Sequence, residues 1–200
     1  MSSDKTQTKF NDTRQRVLDV ARVIILGKGY AAVGLNEILT QAGVPKGSFY
    51  HYFKSKDDFG RELLESYFSE YMVMLEGYLG DQKLTPCQRL MRFFDYWLTS
   101  QCSECAEEKC LVVKLSAEVT DLSEQMRLAL QQGVEKVRQR LTRCIDEAFQ
   151  ANEIRAEQTA DELARELYYM WLGATLVSKL NRGSDALNAA MSATQIRLGL

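Results

Sequence analysis

The sequence predicts an all-α protein, and three observations support this fold class. The 200 residues include only two prolines and twelve glycines, so few positions interrupt a helix. Apolar residues recur every three or four positions in most segments, and no run of alternating β-branched residues suggests a sheet. Because 46% of the residues are apolar, the chain can bury a sizeable core.

The first predicted helix follows a polar N-terminal segment. Residues 1–11 are interpreted as a flexible arm, and Asp12 or Thr13 can cap the helix. An apolar stripe is expected to face the core and to stop before Gly29; it consists of Val17, Val20, Ala21, Ile24 and Ile25. This helix is expected to support the next two.

Residues 34–53, GLNEILTQAGVPKGSFYHYF, predict two short helices joined by a tight turn. Gly34 stands at the N-cap of the first helix, where Ser or Thr would cap better. Gly43 suits the left-handed residue that ends this helix. Pro45 suits the first turn of the second helix, which is expected to reach Phe53. Two helices around a glycine-containing turn form a helix-turn-helix.

The second of these helices combines aromatic anchors with hydrogen-bond donors. Phe49 and Phe53 stand four residues apart and are expected to pack into a core. The donors are crowded into the same short stretch, and they are Lys46, Ser48, Tyr50 and His51. Such a surface suits a phosphate-lined DNA groove, because most protein–DNA hydrogen bonds go to phosphate and sugar.

The rest of the chain predicts further helices, most of them opened by a capping residue. The capping pairs are Ser55 with Asp58, Thr85 with Pro86, Asp121 with Glu124, and Thr159 with Glu162. The expected helices cover residues 56–79, a segment from 86 onwards, 111–119, 122–151, about 160–181 and 185–198, with a loop at 100–110. Asn152 is a suitable stop for the fourth of them.

The run AGVPKGSFYHYFKSKDDF, within residues 13–59, resembles the N-terminal DNA-binding domain of TetR-type transcriptional repressors. The resemblance depends on an ordered set at fixed spacing, namely Gly43, Lys46, Gly47, Tyr50, Tyr52, Phe53 and Lys56. It implies a three-helix helix-turn-helix domain over residues 1–55. It also implies a helical ligand-binding and dimerisation domain over residues 56–200.

The resemblance further implies which residues meet operator DNA. They are Gly34, Pro45, Lys46, Gly47, Ser48, Tyr50, His51 and Lys56. Lys46 and Ser48 would meet base edges or phosphate, and Lys56 would hold a phosphate at a helix start. Tyr50 and His51 would hold phosphates as well. The alternative for these two side chains is packing, with the polar tip satisfied inside the protein.

Charge is unevenly distributed, although the net charge is only −2. Residues 1–60 hold nine Lys or Arg and six Asp or Glu, which gives +3, and the remaining residues give −5. A modestly basic head on an acidic body fits a DNA-binding module joined to a body that avoids DNA.

The last two predicted helices are candidates for a dimer interface. The final one carries small or apolar residues, which are Ala186, Leu187, Ala189, Ala190, Ala193 and Ile196. In the resembled family, two such helices from each subunit form a four-helix bundle, and its two-fold symmetry matches a palindromic operator. The alternative is that both helices close the core of the monomer.

Five cysteines are expected to be reduced, because a polar N-terminus without a signal segment indicates a cytoplasmic protein. Cys102, Cys105 and Cys110 have a spacing that a soft metal ion could use. No fourth ligand is evident, and the only histidine lies in the helix-turn-helix, so no metal is expected. A single reactive thiol at Cys110 is favoured instead. A helix N-terminus and the neighbouring Lys109 and Lys114 would lower the pKa of that thiol.

A finer resemblance concerns the runs CLVVKLSAEVTDLSEQMR, which starts at Cys110, and WLGATLVSKL, which starts at Trp171. Both are similar to the branch of the family around the repressor of N-ethylmaleimide reductase, which responds to reactive electrophiles and oxidants through a cysteine that Cys110 matches. Lys179 shares a helix face with Trp171 and Thr175, and all three are expected to take part in sensing. Lys179 would approach Cys110 and stabilise its thiolate or trap its oxidised form. The alternative is a lysine that extends into solvent near a helix end.

The remaining aromatic and cysteine side chains have a simpler interpretation. Phe94, Trp97, Tyr168 and Trp171 could line a pocket, although aromatic stripes at helical spacing are more often core. Cys87 and Cys144 are expected to pack in the core, because buried free thiols usually do.

These features predict a homodimeric repressor that binds a palindromic operator and is released when a small reactive electrophile or oxidant modifies Cys110. The helix over residues 56–79 would transmit the change to the recognition helices. One alternative is a repressor released by a reversible, non-covalent inducer. The others are an enzyme with Cys110 as nucleophile and a helical adaptor that does not bind DNA. The enzyme is disfavoured because no base is evident beside the thiol. No cofactor, catalytic residue or membrane segment is expected.

Overall fold

The structure is a computed structural model, and it describes residues 2–102, 110–155 and 157–200. Those residues form α-helices and no β-strand, which confirms the predicted all-α class. The bounds are α1 Ser2–Lys28, α2 Leu35–Gln41, α3 Phe49–Tyr52, α4 Lys56–Leu79, α5 Pro86–Cys102, α6 Leu111–Val119, α7 Glu124–Gln150, α8 Ala160–Asn181 and α9 Asp185–Leu198, with a 3₁₀ turn at Lys46–Ser48. Over the same residues, no helix has both the length and the apolar character needed to cross a membrane.

The chain divides into two compact units, and each combines separate parts of the sequence. The first comprises Met1–Phe68 and Lys114–Gln131, and the second comprises Ser69–Val113 and Gln132–Leu200. The first unit therefore contains the helix-turn-helix together with most of α6 and the beginning of α7. The predicted boundary after residue 55 lies inside this first unit, and the division into a DNA-binding domain over residues 1–55 and an effector-sensing and dimerisation domain over residues 56–200 stays a prediction.

The helix-turn-helix follows the predicted chain path. Gly43 has a φ of +65°, which confirms the left-handed stop after α2. Pro45 has a φ of −59°, and its carbonyl oxygen accepts a hydrogen bond from the N–H of Ser48 at 2.9 Å. The second helix is therefore a 3₁₀ turn that continues into α3, rather than one uninterrupted α-helix.

An aromatic cluster fixes α3 against the start of α4. Phe49, Phe53 and Phe59 are at most 2% exposed, and their ring centroids lie 4.9 to 5.7 Å apart. Tilted and edge-to-face contacts at such distances add to the free energy gained by burying the rings. The predicted anchoring role of Phe49 and Phe53 is confirmed.

The predicted flexible arm is wrong over residues 2–11, because α1 begins at Ser2. Asp12 and Thr13 lie inside the helix although both are good capping residues. The preceding residues include neither proline nor glycine, so nothing in them interrupts a helix. A capping side chain permits a helix to start but does not require it to start there.

Capping patterns predict other helix ends correctly. Thr159 and Glu162 make both hydrogen bonds of a capping box before α8. The hydroxyl of Ser55 accepts a hydrogen bond from the N–H of Asp58 at 3.0 Å, at the start of α4. Asn152 has a φ of +56° just beyond α7, as its predicted role as a stop requires.

The start of α7 differs from the prediction. α7 covers Glu124–Gln150, whereas the pair of Asp121 and Glu124 predicted residues 122–151. Ser123 takes the capping position instead, and its hydroxyl accepts a hydrogen bond from the N–H of Met126 at 3.4 Å. Aspartate and serine are both good caps, so the sequence pattern alone does not choose between them.

Cys87 and Cys144 are buried in the second unit, as predicted. Burial raises the pKa of Cys144 to about 11, although the neighbouring Arg89 and Arg140 act in the opposite direction. Burial also raises the pKa of Cys87, and the negative charge of Glu153 adds to this effect. Both side chains are therefore protonated thiols at neutral pH.

Candidate functional site

The residues that the family resemblance assigns to DNA lie largely on the surface of the first unit. Seven are exposed, namely Gly34, Pro45, Lys46, Gly47, Tyr50, His51 and Lys56, and Ser48 is half-buried. Tyr50 is 72% exposed, so the alternative that Tyr50 and His51 pack inside the protein is wrong. The buried aromatic cluster fixes α3, and the side-chain donors on its outer face remain exposed to solvent.

Lys56, the first residue of α4, is held by Tyr30. The hydroxyl of Tyr30 donates a hydrogen bond to the carbonyl oxygen of Lys56 at 2.9 Å, and Lys56 Nζ lies 5.1 Å from the centre of the Tyr30 ring. Burial and the charge of Asp57 raise the pKa of Tyr30 to about 12, so its hydroxyl keeps the proton that it donates. No sequence motif includes Tyr30, so this contact leaves no signal in the sequence.

Cys110 directly precedes α6 and lies in the second unit. Its N–H donates a hydrogen bond to Oε1 of Gln101 at 3.3 Å, another contact without a sequence signal. Burial raises the pKa of the Cys110 thiol. The N–H of Val113, the charge of Lys179 and the N–H of Val112 act in the opposite direction, but burial has the largest effect.

The expectation of a lowered pKa at Cys110 is therefore wrong. The helix N-terminus and a lysine do favour the thiolate, as the sequence predicted, but the sequence did not reveal that burial has the larger effect, even though the residue as a whole is only half-buried. Of the two neighbouring lysines named for this effect, Lys109 lies outside the described residues, and the charge that lowers the pKa of Cys110 comes from Lys179 rather than from Lys114.

Lys179, on α8, is the one lysine whose charge lowers the pKa of Cys110 within the described part of the chain. Its residue is exposed, which also agrees with a side chain extended into solvent. The two interpretations are compatible, because the ammonium group can remain hydrated while its charge acts on the nearby sulfur.

Trp171 and Thr175 lie in the core of the second unit, and both are fully buried. Trp97 Nε1 donates a hydrogen bond to the Thr175 hydroxyl at 3.0 Å, and Trp171 Nε1 donates to the Thr194 hydroxyl at 2.9 Å. Lys179, although four residues beyond Thr175, is exposed. A step of four residues turns a helix by about 40° beyond a full turn, so the three side chains do not share one environment.

The aromatic residues around Trp171 and Thr175 pack against one another, which indicates that they belong to the core rather than to the lining of a pocket. The ring of Phe94 stacks on Trp171 with centroids 5.1 Å apart, and Tyr168 meets Trp97 edge-on at 5.7 Å. Burial raises the pKa of Tyr168, and the charge of a Cys110 thiolate raises it further. Tyr168 therefore connects the aromatic core with the surroundings of the thiol.

The expectation that Cys102, Cys105 and Cys110 hold no metal ion stays a prediction, because Cys105 lies outside the described residues. Cys102 is the last residue of α5. Within residues 2–102, 110–155 and 157–200, no group of three or more His, Cys, Asp or Glu side chains is arranged to hold a metal ion.

α8 and α9 each have an exposed apolar face in addition to the buried one. On α8 the exposed residues recur at helical spacing and are Tyr169, Gly173, Leu176, Val177 and Leu180. On α9 Ala189 and Ile196 are exposed, whereas Leu187 and Ala190 are buried. Leu180 and Ile196 are 73% and 76% exposed. We call these residues of α8, together with Ala189 and Ile196, the apolar stripe.

Comparison with known proteins decides the family. The family model described as bacterial regulatory proteins, tetR family, matches residues 17–63. The model described as tetracyclin repressor-like, C-terminal domain, matches residues 86–194, more than half of the chain. The chain belongs to the TetR family. The resemblance stated from the residues of the helix-turn-helix is thereby confirmed.

Curated relatives of this TetR-family chain extend the match over most of its length. The HTH-type transcriptional repressor NemR of Escherichia coli K12 is 35% identical over 182 residues, which cover 91% of this chain and 92% of NemR. The transcriptional regulator AcuR of Cereibacter sphaeroides is 36% identical over 162 residues, or 81% of this chain and 74% of AcuR. This TetR-family chain is a transcriptional repressor similar to NemR.

Solved structures agree with this assignment. The crystal structure of E. coli NemR in its reduced form has a TM-score of 0.88 at 34% identity, and the match covers 92% of this chain and 96% of that one. A TetR regulatory protein from Rhodobacter sphaeroides has a TM-score of 0.79 at 32% identity, covering 92% and 97%. The predicted similarity to the branch around the N-ethylmaleimide reductase repressor is confirmed at the level of sequence and fold.

Proposed function

We propose that this TetR-family repressor acts as a homodimer on a palindromic operator and is released when a reactive electrophile or oxidant modifies Cys110. The observation that carries the proposal is the place of Cys110. It directly precedes α6, a short helix that continues from the second unit into the first, and its thiol interacts with the charge of Lys179.

The exposed donors around the 3₁₀ turn and α3 support operator binding. In the proposed complex, the exposed Lys46 and the half-buried Ser48 would meet base edges or phosphates, and the exposed Tyr50, His51 and Lys56 would meet phosphates. Pro45, Gly34 and Gly47 carry no bulky side chain that would keep the DNA backbone away. Two such heads in a dimer would enter major grooves about 34 Å apart, or a multiple of that distance.

The apolar stripe supports a homodimer. Its members on α8 recur on one face of the helix. Exposed apolar patches of this kind often mark protein–protein interfaces, because covering them with a second subunit removes apolar surface from water. The six residues predicted for the interface differ in exposure. Leu187 and Ala190 are buried, Ala189 and Ile196 are exposed, and Ala186 and Ala193 are half-buried, so α9 can serve both the monomer core and the proposed bundle.

The proposed modification is a reaction of the Cys110 thiolate. With an α,β-unsaturated carbonyl compound, the sulfur bonds to the β-carbon, the carbon–carbon π bond breaks, and the α-carbon takes a proton from water. With a peroxide, a sulfur–oxygen bond forms while the oxygen–oxygen bond breaks and hydroxide leaves. Either product adds atoms at a half-buried position directly before α6. The product therefore favours any arrangement of α6 that relieves the crowding, and only such a difference in free energy can weaken operator binding.

Lys179 is expected to speed this reaction by stabilising the thiolate. Because its charge lowers the pKa of Cys110, Lys179→Met raises that pKa and reduces the thiolate fraction at neutral pH. Alkylation by N-ethylmaleimide should become several-fold slower at every pH at which both thiols are still mostly protonated, because the thiolate fraction is then lower in the variant. Mass spectrometry of quenched samples between about pH 6 and 10 measures this.

Lys136→Met is the matched control, because Lys136 is an exposed lysine on α7. This variant should keep the wild-type pH profile. If Lys179→Met also keeps it, Lys179 has no role in activating the thiol.

Operator binding is tested with duplexes selected from a random pool by the purified protein. Affinity for the selected duplex should fall steeply with salt, and Lys46→Ala should reduce the slope of log K against log salt by about 0.9 for each phosphate that the variant no longer neutralises. Lys136→Ala serves again as the control and should leave the slope unchanged. Failure to select any sequence, or a flat salt dependence, would refute the proposed interface.

A further inference from the structure

Glu118, in the last turn of α6, holds the loop between α1 and α2 in the first unit. Its Oε2 accepts a hydrogen bond from the N–H of Ala31 at 3.1 Å. Gly29 makes room for the carboxylate, because a Cβ at this position would lie 2.6 Å from Glu118 Oε1. Gly29 also has a φ of +91°, which glycine adopts without strain. The loop backbone is therefore shaped around this one side chain.

The same loop holds the start of α4. Tyr30 belongs to this loop, between Gly29 and Ala31. Its hydroxyl donates a hydrogen bond to the carbonyl oxygen of Lys56 at 2.9 Å. Gly60 makes room for that hydroxyl, because a Cβ on Gly60 would lie 2.8 Å from it. Tyr30 is only 5% exposed, so its ring has little freedom to move away from α4.

A continuous series of contacts thus runs from α6 to a predicted operator contact. Glu118 binds the loop at Ala31, the loop carries Tyr30, and Tyr30 binds the backbone of Lys56. Every step lies within the first unit, and the whole series contains two hydrogen bonds and one buried ring. At its other end, α6 begins immediately after Cys110.

We propose that Glu118 is a positioning residue for the operator contact of Lys56, and that the loop Gly29–Ala31 connects the last turn of α6 with the start of α4. A shift of α6 along or about its axis moves the carboxylate, the loop follows, and the Lys56 ammonium group is displaced from its phosphate. This inference builds on the proposed function, since it assumes that Lys56 contacts DNA.

The first test uses the unmodified protein and does not involve Cys110. Operator affinity is measured for wild type, Glu118→Ala, Lys56→Met and the double variant. Glu118→Ala should weaken binding by about three- to tenfold, the range expected for removing one charge-assisted hydrogen bond. In the Lys56→Met background the same change should have less than about a twofold effect, since the contact that it positions is already absent.

Two further variants and one control distinguish a positioning role of Glu118 from a general loss of structure in the first unit. Glu118→Gln keeps an acceptor oxygen and should restore most of the affinity, whereas Tyr30→Phe removes the next hydrogen bond and should resemble Glu118→Ala. Glu124→Ala is the matched control, because Glu124 is an exposed glutamate of the first unit paired with Arg127. It should leave operator affinity unchanged. Hydrogen exchange at the Ala31 amide reports directly whether its bond to Glu118 is broken.

Additive effects of Glu118→Ala and Lys56→Met would overturn the inference, because the carboxylate would then act independently of the lysine. An unchanged affinity in Lys56→Met would overturn it as well, since there would be no contact to position. Neither result affects release through Cys110. Conversely, if modified wild-type protein still binds its operator while the two variants remain coupled, the sensing proposal fails and the positioning role of Glu118 stands.

Discussion

Cys110→Ser is expected to abolish release of the operator by electrophiles while leaving operator binding intact. A serine hydroxyl has nearly the same size as the thiol but no accessible anion at neutral pH, so the rate of modification at this position should fall by at least about 100-fold. Operator affinity of the untreated variant should stay within about threefold of wild type, because the side chain does not belong to the DNA-binding surface. Both quantities are obtained by titrating labelled operator after exposure to N-ethylmaleimide, with the mass of the protein recorded in the same samples.

Single variants of the other cysteines complete this experiment. Cys102→Ser and Cys105→Ser should each release operator as wild type does, and Cys87 and Cys144 should remain unmodified in the native protein because they are buried. Normal release in Cys110→Ser, together with loss of release in one of the other variants, would place the sensing thiol elsewhere. Release of wild type and Cys110→Ser by the same compound without any mass change would instead support a reversible inducer.

Disrupting the apolar stripe is expected to have an equally large effect on DNA binding. Leu180→Glu or Ile196→Glu places a carboxylate in the proposed subunit interface, where burying an unpaired charge costs several kcal/mol. The variant should be a monomer at micromolar concentration by analytical ultracentrifugation. Because the two heads then bind half-sites independently, affinity for the full operator should fall by about 100-fold or more.

Val73→Glu is the matched control for this experiment. Val73, on α4, is 74% exposed, as much as Leu180, but it is not part of the apolar stripe. Its replacement should change neither the oligomeric state nor the affinity for operator. A wild-type protein that sediments as a monomer, or stripe variants that remain dimers, would contradict the proposed interface.

Much of the fold was predictable because helix ends depend on neighbouring residues. Gly43 ends α2 and Thr159 caps α8 through contacts within a few residues, and such contacts leave a pattern in the sequence. The start of α1 was not predictable in this way. Asp12 could have capped a helix there, but the residues before it are equally able to continue one.

The properties of the sites depended more on contacts between distant parts of the chain. The exposure of Lys46 and Tyr50 was predictable, since a family motif and the anchoring phenylalanines both indicated it. The pKa of Cys110 was predicted with the wrong sign, because the sequence shows neighbouring charges but not how well a sulfur is covered. Glu118 was missed altogether, since its partner Ala31 lies 87 positions away.

The raised pKa of the Cys110 thiol bears on which compounds the proposed sensor would respond to. With its pKa raised, nearly all of this cysteine is protonated at neutral pH, and weak electrophiles meet very little nucleophile during a brief encounter. Strong electrophiles and fast oxidants need only that small ionised fraction, because proton exchange replenishes it rapidly. Under the proposed mechanism, the raised pKa of Cys110 would slow its reaction with every electrophile in the same proportion, so that only strong electrophiles and fast oxidants would modify it within a brief exposure.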